Sequence, residues 1–337
     1  MRAEGVIILQ YWLKAVIAES LIASSNSNSD TEMHPLGLIK FAACCGIWMV
    51  GCFAAPVAAV LSCFGIHWAS YILIAYYSFR FVFPAKYWPY FLDFMSLNDT
   101  PYCNQQRIVM DKGAKLPKPD SKTMLALGPH GILTIGWQTL ISSPEYRKLG
   151  FKWLVAEIMS LIPFLADINT WSNIVSCAKD NMIEIMESGE NIALIPGGFE
   201  EATLYKRNHF RLYLKRRKGF IKYALKYGYC IQPCFVFGEE KTYWQLDMGS
   251  YFKKISLWLN HFKIPTTFFV GKFLFLPDNN IDIVVVVGKT IKLPTIDNPT
   301  KDEIKKYHTQ YIEAIQDIFE RHKICLGYPP DSVLEIE

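Results

Sequence analysis

Between Phe41 and Ile66 the chain has no charged residue, and this one stretch limits what its N-terminal part can become. A helix needs roughly 20 apolar residues to cross a bilayer, and the stretch is longer than that. A short turn around Gly65 to Trp68 follows, then a second apolar run to Phe83. That run is slightly short, but Arg80 near its end has a stem long enough to snorkel to a headgroup layer. The pattern predicts a hairpin over residues 36–86. Either it spans the bilayer, or it dips into one leaflet with Pro56 at its apex. Lys14 and Lys40 precede it, Arg80 and Lys86 follow it, and the turn has only His67. Lys and Arg accumulate on the cytosolic side, so both ends are expected there. The lipid bilayer is therefore the first expected partner.

The hairpin accounts for a composition that is otherwise odd for an enzyme, 51% hydrophobic and 15% aromatic. What remains of the 337 residues is long enough for one large domain with its own core. Three regions are expected: an amphipathic segment and linker over 1–35, the transmembrane or re-entrant hairpin over 36–86, and a cytosol-facing domain over 87–337. Within the first, residues 5–23 are apolar but broken by Lys14 and Glu19, which favours a surface helix, and Ser24 to Glu32 reads as linker. Asn98-Asp99-Thr100 matches a glycosylation sequon, but Pro101 follows it on the expected cytosolic side, and it is discounted. The net charge of +4 does not call for nucleic acid and suits an anionic membrane or an anionic ligand. The nine cysteines show no C-x-x-C pair and are expected to be reduced; the scattered histidines suggest no metal site.

Beyond residue 100 apolar strands alternate with helices. Thr123–Leu127, Ile192–Ile195, Cys230–Phe237 and Asp282–Val287 read as strands. Lys179–Ser188 reads as a helix stopped by Gly189, and Leu212–Tyr227 as a helix stopped by Gly228. A last helix opens on a Thr300/Glu303 capping box, repeats Ile304, Tyr307, Tyr311, Ile315, Ile318 and Phe319 at helical spacing, and ends before Gly327. The expected class is α/β, with a mostly parallel sheet covered by helices. In such folds reactive groups gather where strands end.

Two strand ends and one basic run have chemical interest. In Gly128-Pro129-His130-Gly131 a histidine follows a buried strand on a turn with little bulk beside it, which suits a general base. In Pro196-Gly197-Gly198-Phe199-Glu200-Glu201 two glycines permit close approach of a substrate to backbone N–H groups, as an oxyanion site needs, and acids follow. The same residues would also make an ordinary glycine turn with solvated acids. Lys215, Arg216, Arg217 and Lys218 are bunched cations that could hold phosphates or simply form a solvated basic face. His308 lies on the last helix and reads as a packed or surface residue. Acyl transfer to a hydroxyl needs a base, an oxyanion site and a dock for the phosphates of coenzyme A, and a hydrophobic acceptor would explain the hairpin.

In this order the motifs resemble the diacylglycerol acyltransferase type 2 family, which includes monoacylglycerol and wax-ester acyltransferases. Pro129-His130-Gly131 is similar to its His-Pro-His-Gly signature, and Pro196-Gly197-Gly198 with Glu201-Ala202 to its glycine block. Arg217-Lys218-Gly219-Phe220 with Ala224-Leu225 and Gly228, Pro233 with Phe237-Gly238-Glu239, Val287-Gly288-Lys289 through Pro294, and Tyr307-His308 through Gly327 match later blocks. Two departures stand out. Gly128 replaces the first signature histidine. Ile135 stands where related glycerophospholipid acyltransferases place the aspartate of a His-x4-Asp motif.

The resemblance implies an acyl-CoA-dependent O-acyltransferase that esterifies diacylglycerol to triacylglycerol. The same chemistry on monoacylglycerol, a long-chain alcohol or a sterol is the alternative, and a non-enzymatic lipid-droplet protein a more distant one. His130 would be the base, with no covalent acyl-enzyme. Gly131, Gly197 and Gly198 would supply oxyanion contacts. Glu201, and after it Glu239, would orient the imidazole, and Lys215 to Lys218 would bind acyl-CoA phosphates. No permanently bound cofactor is implied, since acyl-CoA is a co-substrate. The implied location is the endoplasmic reticulum membrane, with lipid droplets as a second site, and homo-oligomerisation is left open.

Overall fold

The structure is a computed structural model that describes residues 35–96, 101–245, 249–260, 267, 269–273 and 275–337. The expected surface helix and linker over 5–32 and the Asn98 sequon lie outside the described residues.

Helix α1 (Pro35–Cys63) is 29 residues long and runs unbroken through Pro56. Only 17% of its most apolar window is buried, and it is long and apolar enough to cross a membrane. The chain reverses at Phe64–Gly65, where Gly65 adopts φ +75°. The Pro56 apex is therefore corrected. A proline costs one helix hydrogen bond, whereas a left-handed turn favours glycine, and the sequence offers that nine residues on. Helix α2 (Trp68–Val82) returns beside α1, with Ser62 Oγ 2.7 Å from Ser70 Oγ, and none of its residues is buried. At 15 residues it is shorter than the roughly 20 that a span needs.

The pair is bolted to the rest of the chain through residues 161–171. Arg80 Nε lies 2.7 Å from the buried carboxylate of Asp167, and Tyr76 donates to Asp167 at 2.9 Å while accepting the Phe164 N–H. Tyr77 donates to Leu161 O, and Trp88 meets Trp171 edge to face. Arg80 is thus not the snorkelling residue the sequence suggests, because a buried carboxylate is costly without a cation beside it.

The remaining elements are α3 (Pro89–Met95), β1 (Gln105–Met110), β2 (Thr123–Gly128), α4 (Ile135–Ser142), α5 (Pro144–Arg147), β3 (Lys152–Val155), α6 (Leu165–Trp171), β4 (Ile174–Ser176), α7 (Lys179–Ser188), β5 (Ile192–Leu194), α8 (Gly198–Leu204), β6 (Phe210–Leu212), α9 (Gly219–Tyr227), β7 (Cys230–Phe237), β8 (Trp244–Gln245), α10 (Gly249–Asn260), β9 (Phe269–Val270), β10 (Asp282–Val287), α11 (Lys301–Lys323) and β11 (Leu334–Ile336). Seven strands form one sheet in the order β1-β10-β7-β2-β5-β3-β4. Every junction is parallel except β10–β7.

Alternation along the strands fills two cores. Leu125 and Leu127 of β2, with Cys234 and Val236 of β7, face α4 and the start of α1. Met124 and Ala126, with Phe235 and Phe237, face α7, α9 and α11. Each large apolar side chain removed from water this way contributes about 1.5–3 kcal/mol. This double covering is why the central strands read as continuous apolar runs. The capping box of α11 is present: Glu303 N donates to Thr300 Oγ1 at 3.3 Å and Thr300 N to Glu303 Oε2 at 2.8 Å. All nine cysteines are free.

The expected helix over Leu212–Tyr227 is corrected. Leu212 ends a strand, and the helix begins only at Gly219. The intervening backbone is spent on tertiary partners: Tyr213 N donates to Glu201, and Leu214 N and Lys215 N both donate to Glu337 O. The Leu212 carbonyl, which a helix starting there would need for the Arg216 N–H, accepts instead from Glu337 N.

Candidate active site

Strands β5, β2 and β7 are adjacent and parallel, so their C-terminal ends open on one edge of the sheet. There β2 delivers Pro129-His130-Gly131, β5 leads into Pro196-Gly197-Gly198, and β7 leads into Gly238-Glu239. The structure brings these three sequence-predicted segments together.

His130 is half-buried, and its ring Nδ1 lies 3.1 Å from Gly131 O. A carbonyl only accepts, so Nδ1 has the proton and Nε2 the lone pair. Burial pushes the imidazole pKa down to about 4, against the opposing pull of the Gly131 carbonyl. The ring is neutral at pH 7 with its basic nitrogen defined. The Gly131 carbonyl is thus the group that fixes the tautomer of this ring.

Glu201 is fully enclosed, at 3% exposure. Its Oε2 accepts the His130 backbone N–H at 2.8 Å and its Oε1 accepts the Tyr213 N–H at 3.0 Å. Burial raises its pKa to about 7, and the two N–H groups and Arg217 pull the other way. The structure thus gives both oxygens of Glu201 to backbone, and the expectation that it orients the imidazole is corrected: it positions the histidine's main chain. The carboxylate also folds over Gly197, where a Cβ would fall 1.9 Å from Oε1. That contact is reason enough for glycine at 197.

Glu239 grips the same turn from the other side. Its Oε1 accepts the Gly136 N–H at 2.6 Å at the start of α4. Its buried Oε2 has no hydrogen-bond partner among the described residues and lies 2.4 Å from where a Gly131 Cβ would sit. Burial raises the Glu239 pKa to about 8, so the carboxyl is largely protonated at pH 7. Gly131 has φ +62°, which a side chain would also oppose. Gly198, at φ +57°, opens α8.

The basic run divides. Lys215, Arg216 and Lys218 are exposed in the loop before α9. Arg217 pairs with Glu200 and lies 5.6 Å from the Tyr213 ring centroid, so it is not free for a phosphate. A guanidinium beside a carboxylate is already engaged, whereas its three neighbours face solvent. His308 is buried, its Nε2 2.9 Å from Leu214 O, and it ties α11 to this loop. Sequence reasoning missed Tyr213 and Leu212. Tyr213 meets Glu201 through its backbone N–H, which no side-chain motif could show. Leu212 fills the space beside Gly128, its Cδ2 2.6 Å from where a Cβ at 128 would lie. Any side chain at 128 would therefore have to displace Leu212.

Comparison with known proteins places the chain in a family. The sequence profile of the family described as diacylglycerol acyltransferase matches residues 96–337. Diacylglycerol O-acyltransferase 2 of Dictyostelium discoideum is 34% identical over 221 residues, 61% of this chain and 67% of that protein. Diacylglycerol O-acyltransferase 1 of Eremothecium gossypii is 35% identical over 227 residues, 62% of this chain and 49% of that protein. Acyl-CoA wax alcohol acyltransferase 2 of Mus musculus is 29% identical over 236 residues, 65% and 71%. The matched stretch thus spans between about half and about seven tenths of these relatives' own length. Since the profile takes in all three strand ends and runs to Glu337, this chain belongs to the diacylglycerol acyltransferase family.

Proposed function

We propose that this chain transfers a fatty acyl group from acyl-CoA to the free hydroxyl of diacylglycerol, forming triacylglycerol. The observation that supports it most is the neutral, half-buried His130 with Nε2 left as the basic nitrogen, in a chain of this family. Nε2 takes the proton of the acceptor hydroxyl as its oxygen attacks the thioester carbonyl. A tetrahedral oxyanion forms, with the backbone N–H groups of Gly131, Gly197 and Gly198 as its proposed donors. The C–S bond then breaks, and the proton held on Nε2 passes to the departing thiolate. A base with so low a pKa holds a full proton poorly, which favours proton transfer concerted with attack over prior ionisation of the alcohol.

A lipid acceptor accounts for the apolar helix pair, which we read as a membrane hairpin with the catalytic domain on the cytosolic side, in the endoplasmic reticulum. Residues from Phe79 to Phe94 support this with an exposed aromatic series, including Phe81, Phe83, Trp88 and Tyr90. The exposed Lys215, Arg216 and Lys218 are proposed to dock the acyl-CoA phosphates. Replacing these three with glutamine should raise KM for acyl-CoA several-fold with kcat little changed. Arg217→Met should instead lower kcat, since its partner Glu200 adjoins Glu201. Steady-state kinetics on membranes from expressing cells separate the two, and a KM effect confined to Arg217 would reverse the assignment.

The reading is tested by expressing the chain in cells unable to make triacylglycerol and feeding labelled oleate, with His130→Ala as control. Labelled triacylglycerol from the wild type alone supports it. Label in wax or sterol esters keeps the chemistry and changes the acceptor, an outcome that a wax alcohol acyltransferase among the relatives makes worth scoring. No neutral-lipid label from a folded, membrane-bound protein would refute the enzyme.

A further inference from the structure

The proposed chemistry uses His130 and Glu201, but what holds Tyr213, the second donor to Glu201, lies far along the chain. Strand β6 is not part of the main sheet. Its partner is β11, in parallel register with Leu334 opposite Phe210, Glu335 opposite Arg211 and Ile336 opposite Leu212. Glu337 then closes the join: its N–H donates to Leu212 O at 2.7 Å, and its O accepts from Leu214 N and Lys215 N, each at 2.7 Å. Arg211 locks the same join through its side chain, meeting Glu335 Oε2 at 2.6 Å and Glu337 Oε1 at 3.2 Å. Tyr213 sits between the two clamped positions and points its N–H at Glu201 Oε1. Leu212, one residue earlier, presses its methyl group against Gly128.

We propose that residues 334–337 are a positioning element of the active site, setting the Tyr213 N–H that Glu201 needs to hold the His130 backbone. The linkage is a short series of hydrogen bonds: Glu337 to the Leu212 and Leu214 backbone, Tyr213 to Glu201, Glu201 to His130. Only an ionised Glu201 accepts from both donors without also offering a proton. The groups that face it are Glu200 on its own helix, Arg217 and Tyr213 from the loop, His130 from the β2 turn and Tyr311 from α11. Of these, the loop donor is the one whose position depends on β11. Loosening β11 therefore raises the pH at which Glu201 ionises, and with it the acid limb of the rate. The pH effect rests on the acyltransferase reading; the structural linkage does not.

Two variants of the full chain test this. Glu337→Pro removes the N–H to Leu212 O, and Glu335→Ala removes the Glu335 half of the ionic lock while Arg211 keeps its hydrogen bond to Leu204 O. Amide hydrogen exchange by mass spectrometry is read on peptides covering 209–216 and 128–132. The expected result is faster exchange in both peptides for both variants, with the β7 peptide unchanged as the sign that the fold persists. The acid limb of kcat/KM should move up by about one pH unit, a loss of about five- to sixfold at the old midpoint that approaches tenfold below it. Faster exchange at 209–216 with no change at 128–132 would overturn the proposal, as would a rate lowered equally at every pH. Should the wild type prove inactive, the acyltransferase reading fails, while the exchange result still decides whether β11 positions the His130 turn.

Discussion

Replacing His130 with alanine is expected to lower kcat by about 10²–10⁴-fold while leaving the protein folded and in the membrane, because general-base assistance is worth about that much. The fold should tolerate the change. Among the described residues the imidazole's one hydrogen bond is to the carbonyl of the next residue, and Glu201 grips the backbone N–H, which alanine retains. His130→Gln makes a sharper companion, since a similar-sized side chain remains but has no basic nitrogen. If initial rates of either variant stay near wild type, the proton acceptor is some other group.

Glu201→Gln should cost about 10–100-fold in kcat. An amide offers one oxygen and one NH2, so either the His130 or the Tyr213 N–H must face a donor. A buried hydrogen bond to a charged acceptor is worth about 1.5–3 kcal/mol. The pH dependence follows with a definite sign. Burial raises the Glu201 pKa to about 7, so the carboxylate that accepts both N–H groups is present above that pH and is lost as pH falls through it. His130 stays neutral until about pH 4 and cannot set that limb. Wild-type activity should therefore fall below about pH 7. Glu201→Gln, which does not titrate, should show a low rate with a flat profile down to about pH 5. An acid limb that persists unchanged in Glu201→Gln would assign it elsewhere.

The strands readable from sequence were those with both faces covered. β7 and β10 run as expected because burial on two sides leaves unbroken apolar letters. α11 was legible from its cap and its 3.6-residue stripe. Of the short pieces, three-residue β5 was readable from its buried apolar run, but β3, β4, β6 and β11 are too short for any periodicity to establish itself. The site divides in the same way. His130, Glu201 and the glycines could be nominated because their side chains, or the lack of one, announce them. Their partners were not, because much of this site is held by main-chain N–H groups, at His130, Gly136 and Tyr213, to which sequence is silent. The run of four cations looked uniform as letters, and only three-dimensional placement separated Arg217 from its neighbours.

The joint between the apolar helix pair and residues 161–171 has a mechanical meaning. Tyr76, Tyr77 and Arg80 reach it from α2, Gly51 closes onto Ile162 and Pro163 from α1, and Trp88 meets Trp171 just beyond the pair. A floppy tether would let a domain tumble above a surface and meet it at any angle. A many-point attachment such as this one transmits torque. If the helix pair lies in a bilayer as proposed, a change of thickness that tilts α1 would turn the His130 turn with it, and the rate would then answer to the composition of the membrane.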